Sequence, residues 1–243
     1  MDMISIWVWV ILVVIIFIGT SIAGGASVQF WDIVNKKDGI VSSINLTAAD
    51  FAKDALTKKD LPVNVVKTTG KFNDYYSHKA HHIAICEDLY SSNTVVALGV
   101  TAHEIGHAIT DYNQSFVYRL HYSLRKFIKV VNWLIYIVLI AAVVLLFFDN
   151  LAFISMYLFY SALGMFIFSI LFKFLTVKNE KNATDEGLTL LRNYGMPKSE
   201  IRIVKKVLNA ALLTYIGEIF MPFVKLFRAI GWVFNHTLGA LFR

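Results

Sequence analysis

Charge is scarce in this chain: 16% of its 243 residues are Asp, Glu, Lys or Arg, against 57% hydrophobic residues and a mean hydropathy of +0.59. Soluble globular domains carry roughly 25% charge, so this balance disfavours an ordinary cytosolic enzyme and points to a membrane. Proline is scarcer still, at 3 residues beside 13 Gly, while Phe, Tyr and Trp number 19, 11 and 5. That much aromatic surface excludes an intrinsically disordered chain. The single cysteine, Cys86, can form neither an internal disulfide nor a cysteine metal site, and it reads as a packed residue in a reducing compartment. No isolated basic face or nucleic-acid motif is present: 23 Lys and Arg exceed 17 Asp and Glu, giving +6, but the bases flank long uncharged runs. There they meet anionic lipid head groups, so the predicted partner is the lipid bilayer and not nucleic acid.

Three runs free of charge, Ile4 to Ile22, Val130 to Phe148 and Leu151 to Phe172, are long enough to cross a hydrocarbon core, which takes roughly 20 helical residues. The first has only Asp2 ahead of it and no basic region, so it reads as a retained anchor and not as a cleaved signal. A fourth run, Val207 to Val224, contains Glu218, and a carboxylate at mid-bilayer costs on the order of 3 kcal/mol, so this segment either spans or lies in the interface. Arg119, Arg125, Lys126 and Lys129 precede the second run and Lys173, Lys178 and Lys181 follow the third, whereas the connector holds Asp149 and no base. Basic flanks stay inside, which predicts a plasma-membrane protein with its N-terminus outside and residues 25–129 and 173 onward in the cytoplasm. The sequons at Asn45, Asn113, Asn182 and Asn235 then go unused.

Within the first cytoplasmic segment, Thr47-Ala-Ala-Asp50 predicts a capped helix through about Leu56, ending before Pro62. Val63 to Val66 and His82 to Cys86 predict two short strands. Ser91-Ser-Asn-Thr94 then offers caps for a helix on which Val96, Val100, His103 and His107 form one stripe. His103-Glu104-Ile-Gly-His107 places two imidazoles one turn apart, able to grip one zinc ion, with Glu104 beside them to take a proton from an activated water. His81 and His82, adjacent on a strand, point to opposite faces and cannot chelate one ion together, and His121 and His236 have no partner at ligand spacing.

A catalytic zinc needs a third protein ligand. Two crossings separate the motif from residue 173, so Glu180, Asp185 and Glu186 return to its side, and His78, His81, His82 and Asp111 lie in the nearer segment. Glu180 is preferred, with Glu186 next, because Ala183 and Thr184 stand one turn beyond it on the same face and leave room for the metal-bearing helix. Thr184 can also hydrogen-bond a ligand. The chain divides accordingly into an N-terminal anchor (1–24), a cytoplasmic segment with the metal-binding helix (25–129), a transmembrane hairpin (130–172), a cytoplasmic helix with the third ligand (173–206) and a C-terminal membrane-associated or transmembrane helix (207–243).

These residues resemble the YugP-like membrane zinc metallopeptidases. The likeness rests on Leu46-Thr-Ala-Ala-Asp50, Gly70-Lys-Phe-Asn-Asp-Tyr-Tyr76, Ala102-His-Glu-Ile-Gly-His-Ala108, Glu180-Lys-Asn-Ala-Thr184 and Val207-Leu-Asn-Ala-Ala-Leu-Leu-Thr-Tyr215, in the family's order. It departs where Asn182 replaces an acid, Thr184 a serine, and Glu218 enters a normally uncharged helix. The resemblance implies a mainly α membrane protein with three to four transmembrane or membrane-associated helices and a small α+β zincin-like cytoplasmic catalytic domain. It implies a gluzincin-like arrangement, similar to HtpX-type membrane proteases, with His103, His107 and Glu180 holding one Zn2+ and Glu104 as general base. The expected reaction is endopeptidase hydrolysis of a protein or peptide substrate near the cytoplasmic membrane face. Tyr215, Tyr75 and Tyr76 are candidate oxyanion donors. The competing expectation is a zinc-binding membrane scaffold without turnover, against which Glu104 argues, since a structural zinc site needs no base. A zinc transporter is disfavoured because the three uncharged runs also lack His.

Overall fold

The computed structural model describes residues 14, 17, 18, 21, 24–36, 39–70, 73–145 and 148–218. The predicted first span therefore lies almost wholly outside the described residues, as does everything beyond Glu218.

Residues 24–36 are helical (α1) and bury Val34 against Val96 and Val207. Helix α2 (Ala48–Lys58) begins as predicted, with the Thr47 side chain accepting the Asp50 N–H, and runs two residues past the expected end. The reciprocal half of the cap differs from the usual box: Asp50 takes the Thr47 hydroxyl at 2.7 Å. One face of α2, including Phe51 and Ala55, is fully buried, and Phe51 meets Tyr194 edge-on at 5.0 Å.

Three strands follow, β1 (Asn64–Thr68), β2 (Tyr75–Ser77) and β3 (His82–Cys86), in the order β1-β3-β2. β1 runs parallel to β3 and begins one residue later than the sequence predicts, whereas β3 has the predicted bounds. β2, which sequence reading missed, pairs antiparallel to β3 and leaves its other edge toward the helix that carries Glu104. Central β3 is apolar and buried from Ile83 to Cys86, as a covered strand must be.

A single turn, α3 (Glu87–Tyr90), leads to α4 (Val95–Tyr112), capped by the Thr94 hydroxyl on the Ala97 N–H. Helix α4 is buried on nearly every side, which fits its high content of Ala, Val, Ile and Gly. Helix α5 (Phe116–Leu145) and α6 (Ala152–Asn193) form a hairpin joined at a tight turn, Asp149–Leu151. Ile128, Val131, Ile135 and Phe172 meet inside it, Ser169 donates to Asn132 at 2.7 Å and Ser155 donates to the Ala142 carbonyl at 2.7 Å. Such cross-links suit helices packing in an apolar medium. The outer faces expose Trp133, Ile140, Phe153, Tyr157, Tyr160 and Leu171, an apolar surface that water does not tolerate at this extent. Among the described residues, the helix Phe153–Asn193 is the one long and apolar enough to cross a membrane.

α6 is continuous over 42 residues, so no break falls at the expected boundary between 172 and 173. Hydropathy changes there but the helix has no reason to stop, because residues 173–193 contain no proline and keep four Leu and three Lys, good helix formers. Finally α7 (Lys198–Glu218) lies against α4 and α6, and Glu200 in its first turn accepts the Ser42 hydroxyl at 2.8 Å, tying residues 42–43 to it.

Candidate metal centre

His103 and His107 project from the same face of α4, their rings edge to face with centroids 4.8 Å apart. What meets them is set by backbone contact. A Cβ on Gly106 would lie 2.1 Å from the Ala183 carbonyl oxygen, and one on Gly187 would lie 2.6 Å from that of Ala102. Glycine at these two positions lets α4 and α6 touch main chain to main chain. Glu180, one turn before Ala183, is thereby delivered to the histidines: its Oε2 is 3.3 Å from His103 Nε2 and 3.5 Å from His107 Nε2.

Four donors at ~2.1 Å around a tetrahedral zinc stand ~3.4 Å from one another, so these separations fit a single zinc ion held by two nitrogens and one oxygen. All three ligand atoms lie within 4.8 Å of one another, and no other such group of three occurs among the described residues. The alternatives go elsewhere. Asp111, a further turn along α4, accepts the Tyr76 hydroxyl at 2.6 Å and pairs with His78. His82 is half-buried in the sheet, Asp185 and His81 are exposed, and Glu186 is half-buried outside the cluster.

Thr184 Oγ1 sits 3.2 Å from His103 Nδ1, the nitrogen that does not face Glu180. A contact of this kind fixes the ring orientation of a metal ligand, so Thr184→Val should weaken zinc affinity roughly 10- to 100-fold while a serine replacement restores it, as read by competition with a zinc chelator.

Glu104 is buried and its Oε2 accepts the Tyr76 N–H at 2.8 Å, which couples the acid to edge strand β2. Burial pushes its carboxyl up to about 7; His103 opposes this, while Glu180 and Asp74 add to it. Burial acts on Glu180 in the same sense, but the hydrogen bonds and charges of His103 and His107 overcome it and hold that carboxyl well below the usual range. Two neighbouring acids are thus driven apart, one toward a proton acceptor working near neutrality and one toward a permanent anion.

A cavity of about 330 Å³ opens over these groups, lined by His103, Glu104, Glu180 and Thr184 and also by Asp74, Phe30 and the inner face of α7. Of the three candidate tyrosines, Tyr215 lines the cavity, Tyr76 spends its hydroxyl on Asp111, and Tyr75 is exposed with its ring tilted against His82. Sequence reasoning missed Asp74 and Phe30. Asp74 lay within a stretch that carried the resemblance, but nothing in its spacing marked it as cavity-lining. His121, which has no partner at ligand spacing in the sequence, lies outside the cluster: it stacks on Phe172 at 5.1 Å, and burial lowers its pKa against the opposing charge of Glu180.

A family model described as "Putative neutral zinc metallopeptidase" matches residues 9–234. Over 201 residues, 80% of this chain and 84% of the other, the sequence is 27% identical to "Putative membrane protease YugP" of Bacillus subtilis (strain 168). No solved structure matches.

Proposed function

The chain belongs to the neutral zinc metallopeptidase family, and from that premise we propose that it is a membrane-embedded endopeptidase whose metal ligands are His103, His107 and Glu180 and whose general base is Glu104. The observation that carries this reading is the convergence of two imidazoles and one carboxylate at zinc-fitting separations beside a buried acid with a raised pKa. A zinc ion held there supplies Lewis acidity toward the scissile carbonyl and acidifies water. Glu104, anchored by the Tyr76 N–H, takes the proton from the attacking water and passes it to the leaving amine. Tyr215 is the tyrosine placed to donate to the developing oxyanion, since it alone of the three candidates lines the cavity.

In the finer reading, residues 130–148 and 151–172 span the plasma membrane as a hairpin, the run at Ile4–Ile22 anchors the N-terminus outside, and the zincin-like site faces the cytoplasm close to the bilayer. Basic flanks on both open ends of the hairpin support that orientation. Loops, tails and misfolded segments of membrane proteins are the substrates such a site reaches first.

The deciding experiment is zinc stoichiometry on the detergent-purified protein beside Glu180→Ala. The reading requires about one zinc per chain, sharply reduced in the variant. Zinc retained in full by Glu180→Ala would remove Glu180 from the ligand set. A zinc-loaded parent that cleaves no peptide would favour a scaffold without turnover.

A further inference from the structure

The cavity over the metal ligands has two unlike ends. One holds the polar groups of the centre; the other is walled by Val207, Leu208, Ala211 and Leu212 of α7, Val100 of α4 and Phe30 of α1. On α7 the lining positions 207, 208, 211, 212 and 215 recur at helical spacing, so one continuous stripe of that helix faces the site. Ala210, the neighbour of Ala211, turns the other way and is buried in the core. Among the described residues, no lysine or arginine lines the cavity. It does contain Asp74, whose Oδ1 accepts the Cys86 N–H at 2.8 Å while its buried Oδ2 accepts no hydrogen bond. An apolar side chain entering the apolar end loses water from both surfaces, whereas an acidic one is desolvated there with no described lysine or arginine to answer it.

We infer that this wall is a substrate subsite that takes a large apolar side chain next to the scissile bond, and that Ala211 sets how large that side chain is. The inference rests on the peptidase reading of the same centre. Its occupant is an amino-acid side chain of the leucine, methionine or phenylalanine class, because the wall is continuous with the residues that would hold metal and proton and is aliphatic over most of its extent. Ala211 is the smallest side chain that α7 gives to the lining, flanked by Val207 and Leu208 on one turn and by Leu212, Thr214 and Tyr215 on the other. A bulky residue there fills the space that the substrate side chain would occupy. Phe30 gives α1 a part in selectivity that no motif signalled.

The test is a binding measurement on the zinc-loaded full chain carrying Glu104→Gln, which holds substrate without turning it over. Fluorescently labelled, end-blocked peptides with a single variable residue in a Gly/Ser background report affinity for Gly, Leu, Phe and Asp forms. Leu and Phe forms should bind on the order of 10- to 100-fold more tightly than the Gly form, with the Asp form weakest. Adding Ala211→Phe should abolish the gain, so that the Leu and Phe forms bind no more tightly than the Gly form of the same variant. Leu212→Ala, which enlarges the wall instead of filling it, should move the preference from the Leu toward the Phe form and keeps the test alive where Ala211→Phe does not fold. Equal affinity for all four peptides, or a preference untouched by both substitutions, overturns the subsite alone. Failure to bind any of the peptides overturns it together with the peptidase reading.

Discussion

Glu104→Gln should keep zinc and lose peptide hydrolysis by on the order of 10²- to 10⁴-fold, the contribution expected of a positioned general base. The replacement is nearly isosteric and its amide oxygen can still accept the Tyr76 N–H, so the position of β2 against α4 is preserved. A variant that cleaves a quenched-fluorescence peptide at the parental rate would remove Glu104 from the mechanism. The same substitution carries a stability signature in the metal-free protein. The folded carboxyl sits at about 7, above its unfolded value near 4.5, so folding takes up a proton between those two pH values and parental stability falls as pH rises through that window. Glutamine has no proton to lose. Its advantage is therefore nil below about pH 4.5 and grows to about 3 kcal/mol above pH 7. Thermal melts of apo parent and variant should coincide at pH 4.5 and separate at pH 8, with the variant higher. A higher-melting parent at pH 8 would contradict the burial of an unpaired acid.

Gly106→Ala should cost both fold stability and metal. Its new methyl would lie 2.1 Å from a main-chain oxygen, and a carbonyl on the neighbouring helix cannot rotate away as a side-chain tip can. α4 and α6 must separate instead. Overpacking of this kind costs typically 1–3 kcal/mol and more where backbone is involved. A shift of about 1 Å at the crossing also spreads the 3.3 and 3.5 Å separations among the ligand atoms, and displacements of that size cost about 10²-fold in a preorganised site. Gly164→Ala is the control: it lies on α6, the other helix of the crossing, with nothing within 4 Å of its added methyl, so it should bind zinc like the parent and gain up to about 1 kcal/mol from helix propensity. Equal zinc contents in Gly106→Ala and Gly164→Ala would mean that the close crossing does not position the site.

What the sequence made legible follows how far apart the cooperating residues lie. Thr47 and Thr94 announced their helices because a cap acts on an amide three residues away, and both caps form at those residues. The His103–His107 pair was legible for the same reason. The third ligand was legible only as a preference: Glu180 lies across a hairpin and spacing left Asp185, Glu186 and four nearer residues open, but the small Ala183 and Thr184 favoured it, and Glu180 is the acid that joins the two histidines where Gly106 and Gly187 complete the approach. β2 escaped because three residues on a sheet edge, one exposed and two half-buried, carry no alternation to read. Asp74, Phe30 and the α7 stripe escaped because lining a cavity is a property of the packed molecule. Hydropathy, finally, divided α6 into a span and a separate helix, although the backbone hydrogen-bond ladder continues across the change in polarity.

The separation of the ligands along the chain also orders events in the life of a new molecule. His107 and Glu180 are 73 positions apart, with the whole α5–α6 hairpin between them. At 5–20 residues per second a ribosome needs roughly 4–15 s to cover that interval, and the close crossing of α4 with α6 can form only afterwards. Until then the two histidines are an incomplete chelate of modest affinity. On the proposed peptidase reading, acquisition of metal would be deferred until the hairpin is made and folded back, and activity itself would report completed assembly.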